Sequence, residues 1–301
     1  MSTLERPLNS TQSVEQFLKD CLGLDKNITK RRFKKISSDI LTEQCKLVLG
    51  GKPTLTHEDN RDSKYRDETA REKLRDTILN ELFTLKRLDN DDNIILGKGG
   101  ALPKTAIVSN KQAYFVVGLP ASGKSSIVNK IADSYGAIVI DPDYAKRKIP
   151  EYKGSPGGAN LVHLESGNIT LSGKNSLFGK CLRQGYNIVI PKVGNDIEQL
   201  RGLRNALLPH GYKIHLTLVE LDRINATIRA FNRFKSTKRY VPLSLIFDTY
   251  ANDPIMLYYK HKSEWDTSGS ISTLEPIPER LESSSPTNPA ELFPPIKSLP
   301  P

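Results

Sequence analysis

The run Gly118-Leu119-Pro120-Ala121-Ser122-Gly123-Lys124-Ser125-Ser126 joins the apolar stretch Tyr114-Phe115-Val116-Val117 to the helical pattern Ile127-Val128-Asn129-Lys130-Ile131. Two glycines, a short loop and a closing Lys-Ser pair fit the phosphate-binding P-loop. In such a loop successive backbone N–H groups wrap a β-phosphate, and the helix that follows turns its positive end toward the anion. Lys124 is then placed to reach β and γ oxygens, and the Ser125 hydroxyl to hold Mg²⁺. ATP and Mg²⁺ are the expected cofactors, with residues 118–126 as the nucleotide-binding segment. A plain strand-to-helix turn would need neither Lys124 nor Ser125.

A second strand pattern, Ala137-Ile138-Val139-Ile140, ends in Asp141-Pro142-Asp143. Transfer of a phosphoryl group to a hydroxyl needs a carboxylate that orients the acceptor and takes its proton, and a further carboxylate can support the metal's water shell. Asp143 is assigned as the base and Asp141 to the metal or its surroundings; the bland reading is that both merely cap the next helix. Arg229, Arg233, Lys235, Lys238 and Arg239 follow a later strand. Arginines on a closing lid stabilise charge on the transferring group, and Arg233 and Arg239 are chosen for that role over a purely solvated one.

Elements must hold these groups together. Short apolar strands at Tyr114–Val117, Ala137–Ile140, Asn187–Ile190 and Lys213–Val219 alternate with helices at Lys124–Ser134, Asn175–Gln184, Asp196–Leu208 and Arg223–Phe234. That alternation predicts an α/β fold with a mainly parallel sheet covered on both faces and ligands at the carboxyl ends of its strands. Further helical sequence runs from Leu243 to about Lys262. Upstream, residues 1–10 read as a loose leader and Ser13, with Gln16 three residues on, as a helix cap. Two amphipathic helices follow, through Phe33 to Val48 and through Leu74 to Leu88. Leu88 to Lys111 reads as a short strand or hairpin, in which Lys98 is either a second phosphate contact or part of a flexible connection. The division expected is a helical, regulatory region at 1–88, a P-loop kinase domain at 89–275, and a disordered Pro/Ser-rich tail at 276–301.

Composition narrows the partners. The chain has 301 residues, 37% apolar content and a net charge of +10, enough for a real core and a bias toward anionic ligands. Neither a membrane span nor a secretory signal is read, so a cytoplasmic site of synthesis is expected, with export into a host cell as an effector the other course. Three cysteines at unrelated spacings indicate neither a disulfide framework nor a zinc site. Aromatic content of 7% offers no stacking platform, which argues against nucleic acid. The basic run Lys30-Arg31-Arg32-Phe33-Lys34-Lys35 is read as a solvated helix face.

From about Tyr114 to Lys262 the chain resembles the zeta toxins and related P-loop small-molecule kinases. The resemblance rests on Gly-Leu-Pro-Ala-Ser-Gly-Lys-Ser, on Val139-Ile140-Asp141-Pro142-Asp143 with Arg147 and Pro150, on Val162-His163-Leu164-Glu165-Ser166, on Gly185-Tyr186-Asn187-Ile188-Val189-Ile190, and on Arg239-Tyr240-Val241-Pro242. It implies an α/β kinase fold and ATP-dependent phosphorylation of a hydroxyl, in zeta toxins that of UDP-N-acetylglucosamine. It also implies Lys124 as the phosphate-binding lysine, Asp143 as the base, Arg233 and Arg239 as lid arginines, and restraint by a helical antitoxin, a part that residues 12–88 are placed to play within one chain. Where zeta toxins carry a Glu and a Thr that bind the amino sugar, this chain has Pro191-Lys192-Val193-Gly194. A site that has lost those hydrogen-bonding groups selects differently, and Lys192 suits a more anionic acceptor such as a nucleotide. His163 and Glu165 either line the acceptor pocket or pack a helix. A polynucleotide kinase and a non-catalytic, ATP-gated interaction module are the alternative functions.

Overall fold

The computed structural model describes residues 6–24, 29–48, 51–153, 156–173 and 175–296. Three N-terminal helices, α1 (Thr11–Asp20), α2 (Lys30–Val48) and α3 (Glu68–Thr84), precede β1 (Gln112–Val117), α4 (Lys124–Tyr135), β2 (Ile138–Val139) and α5 (Pro142–Lys148). Then come two short helices, α6 (Pro156–Leu161) and α7 (His163–Gly167), followed by α8 (Leu177–Gln184), β3 (Ile188–Lys192), α9 (Ile197–Leu207), β4 (Lys213–Glu220), α10 (Arg223–Thr237), α11 (Asp253–His261), β5 (Thr267–Ser272) and β6 (Glu279–Ser283). The strands form one sheet in the order β2-β3-β1-β4-β5-β6, parallel except for β6. The predicted α/β class holds. Central strands buried on both faces must read as continuous apolar runs, and every residue of β1 from Ala113 to Val117 is buried.

One inner strand, β5, escapes that rule. Thr267-Ser268-Gly269-Ser270-Ile271-Ser272 is small and polar, yet nearly all of it is buried. The reason is what lies on it: a Cβ at Gly269 would meet the Asn288 carboxamide oxygen at 2.3 Å, and the Asn288 amide donates to Thr267 Oγ1 and to the Leu216 carbonyl at 2.9 and 3.2 Å. Small side chains leave room for that buried amide. The tail expected to be disordered is thus ordered through residue 296: β6 pairs with β5, and Pro289–Leu292 forms a helical turn with Ala290 fully buried. Residues 297–301 of that tail lie outside the described residues.

The N-terminal third also departs from expectation. Ser10, not Ser13, caps α1, in a reciprocal capping box with Ser13. The leader is not loose from residue 6 on, because Arg6 pairs with Asp248 and Leu8 is buried; residues 1–5 lie outside the described residues. No boundary falls at residue 88. Leu74, Ile78, Leu79 and Leu82 of α3 belong to the same apolar cluster as the sheet, whereas α1 and α2 share a second cluster with α10, Leu119 and the turn at Leu245–Tyr250. That turn, which is π-helical, splits the helix expected from 243 to 262.

Candidate active site

The loop after β1 has the backbone that its glycines require. Gly123, at the start of α4, sits at φ 88°, in the left-handed region that Gly enters without a Cβ penalty. A Cβ on Gly118 would come within 2.6 Å of the Val219 carbonyl oxygen. Ala121 holds φ 63°, a strained value for a residue with a Cβ and of the kind that gathers at ligand loops. Lys124 Nζ donates to the carbonyls of Gly118 and Leu119 at 2.5 and 2.6 Å, and burial lowers its pKa to about 7 against the opposing pull of Asp141 and Asp143. Ser122 Oγ is buried with no hydrogen-bond partner. Thr273, just past β5, donates to the Ser122 carbonyl at 2.6 Å. A cradle with a half-buried lysine, an orphaned hydroxyl and no space for a Cβ at Gly118 fits the phosphates of ATP. Gly118→Ala should cost about 1–3 kcal/mol through overpacking, seen as a lower Tm together with weaker ATP binding by calorimetry.

The other members of the expected loop divide. Leu119 is buried in the second apolar cluster, so only its backbone faces a ligand. Ser125 is exposed in the first turn of α4, while Ser126 returns its hydroxyl to the Gly123 carbonyl at 2.8 Å. Among the described residues no group of three or more His, Cys, Asp or Glu could hold a metal. Mg²⁺ does not need one, since it is commonly held by one or two protein oxygens plus phosphates and water, and Ser125 with Asp141 is a donor set of that kind.

Asp141 does cap α5, accepting from the Asp143 amide at 2.9 Å; the capping reading was correct for this residue, and the cap also fixes both carboxylates at the end of β2. Burial and the charge of Asp143 raise the Asp141 pKa. Asp143 goes the other way. Burial works against its charge, but Lys146, Arg147 and Arg239 together hold its pKa below the ordinary aspartate range. Lys146 Nζ lies 2.8 Å from Asp143 Oδ1, Arg147 donates to the Asp143 carbonyl at 2.9 Å, and Arg239 Nη2 is 3.8 Å from Asp143 Oδ2.

The arginines after β4 separate by role. Arg229 is spent on the carbonyls of Thr273 and Leu274. Arg233, its Nε buried without a partner, has its pKa lowered to about 10 by burial and then by the like charges of Arg239 and Arg147. Arg239 reaches Asp92 Oδ1 at 2.6 Å as well as Asp143. Lys124 is thus within electrostatic reach of Asp141, Asp143 and Arg233, and both Asp143 and Arg233 are within reach of Arg239.

Beside these groups, the half-buried Lys192 ends β3, and its pKa is lowered by burial and by Lys146, with Asp141 opposing. The pKa of His163 is lowered by burial and Lys146, while Asp143 opposes. Glu165 does not join them. It is buried against Arg71 and Arg75 of α3, with Thr54 donating to it at 2.6 Å, so packing accounts for it. Lys98 is likewise part of a backbone device: its amide and carbonyl bridge Ile95, and the carbonyl accepts from Lys148. Sequence reasoning missed Asp92 and gave Arg147 no role. The only signal for the former was the Asp89-Asn90-Asp91-Asp92 cluster.

The sequence model of the zeta toxins matches residues 102–254. The chain belongs to the zeta toxin family. Every assigned site residue of this family member lies inside the matched segment, whereas Asp92 and Arg71 lie before it. A solved structure from the PezAT chromosomal toxin–antitoxin system of Streptococcus pneumoniae is 16% identical, covering 63% of this chain and 79% of that one at a TM-score of 0.48. The AvrRxo1-ORF1:ORF2 complex with ATP is 17% identical over 79% of this chain and 71% of that one, at 0.46. A gluconokinase from Sinorhizobium meliloti is 17% identical over 56% and 86%, at 0.34. Comparison with curated protein sequences finds no match. Among the described residues no helix is long and apolar enough to cross a membrane.

Proposed function

We propose that this zeta toxin family member is an ATP- and Mg²⁺-dependent kinase that phosphorylates a hydroxyl of a nucleotide sugar or nucleotide, acting as a toxin or effector. The observation that supports the reading is the electrostatic coupling of Lys124, Asp143, Arg233 and Arg239 into one site past the ends of β1 and β2. In it, Lys124 and Ser125 would hold the phosphates and metal, with Asp141 in support. Asp143 would orient the acceptor hydroxyl and take its proton, and the two arginines would neutralise the transferring group. Lys192 and Lys146 make the acceptor side cationic, which favours an acceptor that carries phosphate near its reactive hydroxyl. The test is incubation of the chain with γ-labelled ATP and a metabolite extract, with Lys124→Ala as the blank. A labelled small molecule made only by the wild type is the expected result; label in nucleic acid ends, or none at all with ATP binding retained, refutes the reading.

The N-terminal helices enter the same proposal. Because α1 and α2 complete the apolar cluster beneath the lid helix α10, with Phe17 edge-on to Phe247 at 5.5 Å and Lys238 3.5 Å from Asp39, we assign regulation to residues 6–48 rather than to all of 1–88. A separate helical antitoxin would act on the same lid.

A further inference from the structure

Asp92 occupies an unusual place for a residue ahead of the P-loop. Its Oδ1 is 2.6 Å from Arg239 Nη1 and 3.3 Å from Arg147 Nη2, and its charge also acts on Arg233. One carboxylate is therefore shared by the arginines that surround Asp143. The turn that carries it, Asp91–Asn93, is fixed from several sides. Asn90 accepts from the Asp92 amide at 2.9 Å, Tyr144 donates to Asp91 at 3.0 Å, and Ile94 is buried in the sheet cluster. Arg239, by contrast, follows the end of α10 in a segment without helix or strand. Three arginines gathered around Asp143 alone would repel one another, and a second carboxylate is a planar anion of the shape that guanidinium groups grip in place of phosphate.

We propose that Asp92 is a positioning residue that stands in for the transferring phosphoryl group: it holds Arg147 and Arg239 at the site and yields Arg239 to the γ-phosphate when ATP is bound. This rests on the kinase reading above. The exchange makes the lid arginine ordered before the substrate arrives, at the expense of affinity, because the Arg239–Asp92 bond must be given up. Asp92→Asn keeps the shape and loses the charge. Calorimetry with the full chain should then show ATP binding about fivefold to tenfold tighter, with KM for ATP falling while kcat changes less than about threefold. The Tm without nucleotide should fall, and the rise on adding ATP should exceed that of the wild type. Asp92→Glu, which restores the carboxylate, and Asp89→Asn, whose residue pairs with Lys104 at the surface, should both bind ATP as the wild type does. Unchanged or weaker ATP binding by Asp92→Asn, beside a wild type that binds normally, overturns the assignment and leaves the kinase reading intact. Failure of the wild type itself to bind ATP removes both.

Discussion

Asp143→Asn should slow phosphoryl transfer from ATP by about 10²–10⁴-fold, the usual contribution of a positioned general base, while ATP binding stays within a few fold. The substitution preserves size and leaves Lys146 and Arg147 in place, so what it removes is the anionic oxygen in the cleft. That side chain is 43% exposed, open to an incoming hydroxyl, whereas Asp141 is committed to the α5 cap. The pH profile separates the two carboxylates. A base works only when deprotonated, so activity is lost as pH falls through its pKa. Held low by Lys146, Arg147 and Arg239, Asp143 predicts an acid limb below the ordinary aspartate value of about 3.9. Asp141, raised by burial and by Asp143, would place that limb above it. A base of low pKa fits transfer through a loose transition state, where the proton leaves late and the carboxylate chiefly orients the hydroxyl. Single-turnover rates of wild type, Asp143→Asn and Asp141→Asn between pH 4 and 8 decide between them.

What the sequence could and could not disclose follows from how each group is held. At the P-loop, chemistry and backbone geometry demand the same residues: Gly118 and Gly123 are needed for space and for positive φ, and Lys124 with Ser125 for charge, so the motif was legible in full. Strands β1 to β4 were legible because burial leaves each of them a short apolar run. β5 was not, since its small polar side chains are chosen to accommodate Asn288, about twenty residues further on. Glu165 was ambiguous because α7 has only five residues, too few for a periodicity that says which face is inward. Its partners Arg71 and Arg75 come from a helix whose long-range packing no local pattern displays. Asp92 belongs to a turn with no period at all, and its meaning arises only from Arg239, which the chain after α10 places beside it. Positions fixed by a backbone rule were thus readable, and positions fixed by a distant partner were not.

The distant partners also decide what the N-terminal region does, and Arg71→Met tests it. Arg71 is fully buried, with Nη1 2.8 Å from Glu151 and Nε and Nη2 2.7 and 2.5 Å from Glu165. Arg75 adds a bond to Glu165 at 2.7 Å. The network fastens α3 to the turn that follows α5, the helix of Asp143 and Arg147, and to α7, the helix of His163. Removing the central cation leaves two buried carboxylates under-compensated, which typically costs about 3–5 kcal/mol. At about 2.1 cal/mol/K per residue, a chain of 301 residues loses roughly 1.6 °C per kcal/mol, so the Tm at pH 7 should fall by about 5 °C or more. The pH dependence follows from Glu165. Burial pushes its pKa up, but Arg71, Thr54 and Arg75 bring it below the ordinary value. In the wild type its stabilisation is therefore present above the unfolded pKa of about 4.3 and is lost as pH falls through the folded value. Without Arg71 the folded pKa rises, so the deficit is largest at pH 7 and shrinks toward pH 5 as Glu165 takes a proton. Glu165→Gln added to Arg71→Met should recover part of the loss. A Tm deficit independent of pH, or none, would mean that the apolar face of α3 alone holds it to the sheet. If the network does hold, deleting residues 1–88 removes part of the kinase core and yields no folded protein, whereas deleting residues 1–48 spares α3 and leaves a kinase whose lid has lost its cover.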